Sequence, residues 1–365
     1  MFGCSRFFRG VLLPGSPGLC SFLPRALVPT YSRPHVRSSP RTLVRSLQRT
    51  LVATYARSLS PSYESILVLS AMEIHYETLR KCILCSGDAI DDFDRRLDLA
   101  RCRSCGLIFD NPRPSQECIS RYYSEHGKYD AWLERKDRLS LQWQQALARI
   151  RGFKASGDLL DVGAGIGHFI SFARSHFNCT GTEISSEGVR LARELFDVAL
   201  AQGALESIDF QGRRFDLIVM FHVLEHLPFP GETIRYCRSL LKPGGVLYLA
   251  LPNEGRFSLR LLLPAVLGKL GSKKYRPFRY GGFRKISMDM EEIHLSHFSE
   301  PGLRKYLRGA GFEIAGSGID FIDPFMFRKG PVRVLRYLLY AKAVAVRAIS
   351  GINMYGCFWI AARKA

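Results

Sequence analysis

The chain has 365 residues, enough for one complete α/β domain with appended modules, and a formal net charge of +19. That charge is unevenly spread: residues 1–71 carry +8, 72–253 carry −1 and 254–365 carry +12, which argues against a uniformly basic, nucleic-acid-coating chain. Every long apolar run, Leu259–Leu270 and Val332–Ile349 included, is interrupted by Arg or Lys and so falls short of a membrane span.

The first 63 residues hold no Asp or Glu, and residues 1–71 contain nine Arg and no Lys. Two readings fit this leader. Basic, hydroxylated and acid-poor composition is the signature of a mitochondrial transit peptide. The absence of Lys and the scattered Pro suit a misassigned start, with Met72 opening the organised chain. On either reading residues 1–71 stand outside the fold, and the protein is expected in the cytoplasm, or in mitochondria if the leader is a transit peptide.

Cys82, Cys85, Cys102 and Cys105 form a C-x2-C-x16-C-x2-C pattern. Two such knuckles offer four thiolates to one tetrahedral Zn²⁺, and the Leu107-Ile108-Phe109 strand after Gly106 suits a zinc ribbon over 72–112. Disulfides or a redox pair are the alternative. Closed four-cysteine coordination leaves no open position, so this zinc is structural. The other six cysteines show no pairing pattern, as in a reducing compartment. Asn111-Pro112-Arg113-Pro114-Ser115 then reads as an extended linker. A helix follows over about 132–150, with Leu139, Trp143, Leu147 and Ile150 on one apolar face. Together they make a connecting segment at 113–156.

Leu159-Leu160-Asp161-Val162-Gly163-Ala164-Gly165-Ile166-Gly167 reads as a buried strand that delivers an acid into a glycine-rich turn. Glycines at every second position do not match the G-x-G-x-x-G of dinucleotide folds. A second strand, Cys179-Thr180-Gly181-Thr182-Glu183, ends in a carboxylate able to accept both hydroxyls of a ribose. Gln202-Gly203-Ala204-Leu205-Glu206, the buried strand Phe215–Phe221, and Leu240-Leu241-Lys242-Pro243-Gly244-Gly245-Val246 follow in order. This series resembles the class I S-adenosylmethionine (SAM) dependent methyltransferases. The resemblance implies a Rossmann-like α/β fold: a seven-stranded sheet with an antiparallel last strand over 157–365, plus the small N-terminal ribbon. It implies SAM held by Asp161, Gly163, Gly165, Gly167, Glu183, Ala204, Leu205 and Phe221. The family's acid or hydroxyl at position 204 is missing here.

Phe221-His222-Val223-Leu224-Glu225-His226 resembles the "E-x-x-E-H" cluster of the ubiquinone-type O-methyltransferases within the methyltransferase-domain 23 group, where acids and histidine can hold a divalent metal. His222 replaces the first Glu. His222, Glu225 and His226 are therefore read either as a second metal site or as groups that cap the next helix and fix the loop. Two imidazoles and a carboxylate would suit a transition metal better than Mg²⁺.

Between the fifth and sixth strands lies an insertion at about 254–310, long enough to be a substrate lid. It opens with the apolar stretch Phe257–Leu270. The segment Lys273–Lys285 then interleaves six cations with four aromatics. That loop could face single-stranded nucleic acid, anionic lipid, a phosphorylated substrate or plain solvent, and its apolar neighbour favours peripheral membrane contact through 257–285. His294-Leu295-Ser296-His297-Phe298-Ser299 resembles the H-x-x-H-F-S of many zinc-ribbon methyltransferases. Phe312–Ala315 and Cys357–Ala361 read as the last two strands, and Val332–Ile349 as a helix mostly packed on the sheet.

Transfer of a methyl group to a hydroxyl needs a base, and His222, His226, His294 and His297 are the candidates. The leading expectation is SAM-dependent methylation, at oxygen, of a sugar, quinone-like or lipid-linked small molecule. An RNA methyltransferase gripping its substrate with ribbon and lid is one rival. The ribbon's five acids and four Arg over 82–105 make it a poor phosphate binder. A non-catalytic SAM-fold binding module is the other rival.

Overall fold

The computed structural model describes residues 74–125, 129, 133–134, 136–254, 270, 293–320 and 331–365. The leader at 1–71 and, apart from Leu270, the apolar and basic segments at 257–285 lie outside these residues.

Chain order begins with β1 (Tyr76–Glu77), β2 (Ile90–Asp94), β3 (Leu99–Cys102), β4 (Ile108–Asp110), β5 (Arg113–Pro114), α1 (Gln116–Glu125) and α2 (Lys136–Arg151). It continues through β6 (Gly157–Val162), α3 (His168–Ala173), β7 (Phe177–Glu183), α4 (Ser186–Phe196), β8 (Ala201–Gln202), β9 (Phe215–Phe221), α5 (Pro230–Leu240) and β10 (Leu241–Pro252). The last elements are β11 (Ser296–His297), α6 (Glu300–Gly309), β12 (Phe312–Ile319), α7 (Pro331–Ser350) and β13 (Cys357–Lys364).

The main sheet has seven strands in the order β12-β13-β10-β9-β6-β7-β8. Strands β10, β9, β6, β7 and β8 run parallel, and β13 inserts antiparallel between β10 and β12. The central strands read as continuous apolar runs because helices cover both faces: Leu217, Ile218, Val219 and Met220 are fully buried. On one face α2 lays Trp143, Leu147 and Ile150 over Leu159, Val219 and Tyr248, as the apolar spacing of this helix predicts. Helix α4 starts where Ser185 Oγ accepts the Gly188 N–H (3.3 Å), and α6 where Ser299 Oγ accepts the Gly302 N–H (3.3 Å).

Helix α7 departs from its sequence reading. Of its described side chains Ala343 is buried, whereas Leu338, Leu339, Val344 and Ile349 are exposed, so over 338–350 packing on the sheet accounts for little of the apolar content. Arg347 anchors it through ion pairs with Glu300. Among the described residues no helix is long and apolar enough to cross a membrane.

The strands that flank the cysteine turns form a second sheet, of order β11-β4-β3-β2, whose first strand comes from the far end of the insertion. Ser296 pairs with Phe109 and His297 with Ile108. Cys82, Ile83 and Leu84 join the same hydrophobic cluster as Ile218, Ile234 and Leu249 of the main domain. The knuckle meets α5 so closely that Gly231 donates its N–H to the Ile83 carbonyl (3.2 Å), and a Cβ at 231 would stand 1.9 Å from the Leu84 carbonyl oxygen. Beside it the fully buried Arg113 bonds Glu77 Oε1 (2.9 Å) and the Pro228 carbonyl (2.7 Å) under the Phe229 ring. Ribbon, linker and main domain thus share one core.

Gly231→Ala is therefore expected to destabilise the protein by about 1–3 kcal/mol or more, as overpacking against backbone does. Gly309→Ala, where a Cβ meets nothing within 4 Å, is the neutral control. Thermal unfolding of the two variants beside the parent checks this.

Candidate functional site

Strand β6 delivers Asp161 to the carboxyl end of the parallel strands and then turns sharply. Gly163, Gly165 and Gly167 all have φ in the left-handed region (68°, 58° and 72°), which only glycine adopts without strain. Gly163 has a second reason to lack a side chain, since a Cβ there would lie 2.6 Å from Val223 of the loop after β9. The turn is tied to the next strand by the Ala164 N–H, which donates to the Thr182 carbonyl (2.9 Å).

Glu183 ends β7 and faces this turn. One carboxylate oxygen accepts the Gly165 N–H (2.8 Å) and the other the Ser185 N–H (2.9 Å). Burial pushes its acidity down, raising the pKa, and these N–H donors oppose that shift. Asp161, buried beneath, has its pKa pushed well above the usual carboxylate range by desolvation and by the charge of Glu183. Asp161, the glycines and Glu183 are thus brought to one place. Ala204 leads into a short 3-10 turn at Leu205–Ser207, with Leu205 in the core cluster. The Phe221 ring points into the core, packed on Phe169 (4.7 Å) and Trp143 (5.0 Å).

On the other side of the Val223 contact the chain gathers its histidines. His222 takes a left-handed φ of 55°, an uncommon conformation for a non-glycine residue, and its N–H donates to the Ala250 carbonyl (2.9 Å). A 3-10 turn at Leu224–His226 follows. It buries Glu225, whose Oε1 lies 3.5 Å from His222 Nδ1. Desolvation would raise the pKa of this carboxyl, but His222, His226 and His294 around it outweigh burial and hold it low. His226 Nδ1 lies 2.8 Å from the Ile293 carbonyl and 2.8 Å from the Tyr123 hydroxyl.

The stretch after the insertion brings His294 against this turn, its ring 4.9 Å from that of His226. Glu225, His226 and His294 offer ligand atoms all within 4.8 Å of one another, near enough to converge on one cation or one acceptor proton. The sequence reading grouped His222, Glu225 and His226; the described geometry adds His294 from the far side of the insertion and sets His222 beside Glu225.

His297 is placed differently from the other three candidates. Its Nε2 lies 3.0 Å from Asp110 Oδ2 and its Nδ1 2.9 Å from Glu254 Oε2, so both ring nitrogens face carboxylates. Burial alone would lower its pKa, but Asp110 and Glu254 together push it up to about 9. The second oxygen of Glu254 lies 2.9 Å from His294 Nδ1. Tyr123, Asp110 and Glu254 escape sequence reasoning because none belongs to a motif. The one available signal is the acid that closes the apolar strand Ile108–Asp110.

In the ribbon, Cys82 and Cys105 sulfurs lie 3.6 Å apart and Cys85 and Cys102 3.5 Å apart, and all four fall within 4.8 Å of one another. A tetrahedral Zn²⁺ with Zn–S bonds of about 2.3 Å requires sulfurs roughly 3.8 Å apart, so the four thiols fit such an ion.

The family described as "Methyltransferase domain" matches residues 133–316. The ubiquinone biosynthesis O-methyltransferase of Caulobacter vibrioides is 30% identical over 149 residues, spanning 37% of this chain and 57% of that relative. The chain thus spans little more than half the length of this curated relative. The enzyme of the same name from Albidiferax ferrireducens is 27% identical over 204 residues, 51% of this chain and 79% of its own. Among solved structures, magnesium protoporphyrin IX methyltransferase from Synechocystis PCC 6803 with bound SAH aligns at a TM-score of 0.40 and 17% identity, over 68% of this chain and 94% of that one.

Two outcomes test the geometry. Metal analysis of the purified protein is expected to give one zinc per chain, falling to near zero in Cys85→Ser. The second concerns His297, which keeps its proton in the folded state up to about pH 9, whereas the unfolded imidazole releases it near 6.5. Its contribution is therefore complete below pH 6.5 and is lost as pH rises towards 9, on the order of 3 kcal/mol in all. Denaturant unfolding between those pH values is expected to show this decline in the parent and a flatter profile in His297→Gln.

Proposed function

The chain belongs to the methyltransferase-domain family, and from that premise we propose that it transfers the methyl group of SAM to a hydroxyl of a small-molecule or lipid-linked acceptor. The observation that carries the reading is Glu183, held by the Gly165 and Ser185 N–H groups at the carboxyl end of β7. The Ile184 N–H and the Tyr129 hydroxyl also bear on this carboxylate, and the Tyr129 contact is the one a ribose diol would replace. Gly163, Gly165 and Gly167 would let the backbone approach the cofactor, with Asp161 beneath and Ala204 and Leu205 at the adenine side. Phe221 would contribute through its backbone, since its ring is spent on the core. On this reading residues 157–365 form the methyl-transfer domain, with 254–310 as its lid and 72–112 as a zinc ribbon joined by 113–156.

When bound, SAM supplies a sulfonium methyl open to in-line displacement. The protein's own tasks are to align the acceptor and to take its hydroxyl proton. The histidines beside the glycine turn suit the second task, because a neutral imidazole accepts a proton near pH 7. His297 is the least suited of the four, with both nitrogens facing carboxylates. The relatives are named as O-methyltransferases of ubiquinone biosynthesis, which favours oxygen and a quinone-like, lipid-linked acceptor. The basic and apolar stretch at 257–285 would then meet the membrane surface where such acceptors reside. An RNA acceptor is less favoured, because the ribbon buries its first knuckle in the core and carries as many acids as cations to within one.

Calorimetric titration with SAM and with S-adenosylhomocysteine is expected to show binding to the full chain. Binding should weaken by about 10- to 100-fold in Glu183→Gln, the cost of losing charge-assisted hydrogen bonds. A folded parent that binds neither ligand overturns the reading.

A further inference from the structure

Four titratable groups from three separate parts of the chain stand in one line. Asp110 closes the ribbon strand β4, His297 lies in β11, Glu254 follows β10 by two residues, and His294 precedes β11. The successive contacts are 3.0 Å (Asp110 Oδ2 to His297 Nε2), 2.9 Å (His297 Nδ1 to Glu254 Oε2) and 2.9 Å (Glu254 Oε1 to His294 Nδ1). Asp110 and His297 are buried, while His294 and Glu254 are partly open, with 22% and 33% of their side chains exposed. The line therefore runs from a closed end in the ribbon to an open end at the Glu225–His226 turn.

The chemistry of the groups fixes where the protons sit. An ionised carboxylate can only accept, so each ring nitrogen facing one carries a hydrogen. Burial raises the Asp110 pKa and the His297 contact opposes that shift; with Asp110 ionised, His297 donates at both nitrogens and is an imidazolium between two carboxylates. His294 donates at Nδ1, and in a neutral imidazole that leaves Nε2 as the basic nitrogen. The Glu254 carboxyl is held well below the usual range because His294 and His297 outweigh its burial, which keeps it in the accepting form. Among the described residues, the charged or titratable groups around His294 include Glu254 after β10, Glu225 and His226 in the 3-10 turn, His297 in β11, and Asp110 at longer range in β4.

We propose that Asp110 and Glu254 are positioning residues for methyl transfer: through the line Asp110–His297–Glu254–His294, the zinc ribbon fixes His294 in the tautomer that presents Nε2 to the acceptor hydroxyl. The inference rests on the methyl-transfer reading above and adds to it a base and the groups that aim it. In the step, the acceptor O–H bond breaks, an N–H bond forms at His294 Nε2, and the freed oxygen pair is available to the methyl carbon. His297 holds Glu254 in place and answers the charge of Asp110, which would otherwise be buried alone. The arrangement has the logic of a carboxylate that orients a catalytic imidazole, extended by one further imidazole and acid. The ribbon is then a wall of the acceptor site as well as a fold-stabilising module.

The test reads the imidazoles directly and needs neither SAM nor an acceptor, so its failure is distinct from a failure to bind SAM. The full chain, loaded with zinc and labelled with ¹⁵N in histidine alone, is observed by long-range ¹H–¹⁵N correlation at pH 7.5. One histidine signal should be an imidazolium and vanish in His297→Gln. A second should be neutral with its proton on Nδ1 and vanish in His294→Gln. In Asp110→Asn the imidazolium should be lost at this pH, and in Glu254→Gln the His294 signal should shift to mixed tautomers. Should Asp110→Asn fail to fold, the parent spectrum and the partly exposed Glu254→Gln decide. A neutral His297 in the parent, a His294 protonated on Nε2, or a Glu254→Gln spectrum with His294 unchanged would overturn the proposal.

Discussion

Buried carboxylates must be answered by cations or N–H donors or else hold their protons, and the carboxyl end of the parallel strands collects several of them. Asp161, Glu183, Glu225 and Asp110 are all buried, and Glu254 is partly so. Two solutions are used on the two sides of Val223. Glu183 is answered by the Gly165 and Ser185 N–H groups with the Tyr129 hydroxyl beside them, a set of neutral donors. The histidine side answers Glu225, Glu254 and Asp110 with imidazoles, which can themselves gain and lose protons. One half of the crevice is thereby fixed in charge and the other is adjustable, a division that suits a bound cofactor on one side and a proton-releasing acceptor on the other.

This electrostatic arrangement depends on parts of the chain distant in sequence. Glu254 leaves the end of β10, His294 and His297 return after the insertion, and Asp110 belongs to the ribbon. Arg113 under Phe229, the Gly231 contact with Leu84, and the pairing of β11 with β4 hold these segments in register. None of the three lies beside the glycine turn, yet the histidine side would lose its geometry without them.

The sequence was most legible where a local motif coincides with a backbone need. The alternate glycines of 163–167 announce left-handed turns, Glu183 announces the end of a strand, and the four cysteines announce two facing knuckles; all appear as read. The spacing on α2 likewise predicted its buried face. The sequence failed where partners come from different segments. Nothing local marks Asp110 and Glu254 as partners of His297, and His294, next to an Ile293 that lies 67 positions after His226, still comes within 4.8 Å of Glu225 and His226. Helix α7 differs for a related reason: an apolar composition was read as burial, whereas Leu338 and Ile349 are exposed.

The pairing of β11 with β4 also bears on the order in which the protein can be made. Ile108 and Phe109 meet their partners only at His297 and Ser296, nearly two hundred residues later. While the chain emerges from the ribosome, the knuckles could gather their metal early, yet the ribbon's inner strand would keep a bare, apolar edge until most of the main sheet has been synthesised. Such an edge invites pairing with other nascent chains. Acids on the opposite margin, Asp91, Asp92 and Asp94 of β2, guard the other side of the same small sheet. Completion of the ribbon is thus a late event in biosynthesis, coupled to the arrival of the histidines it supports.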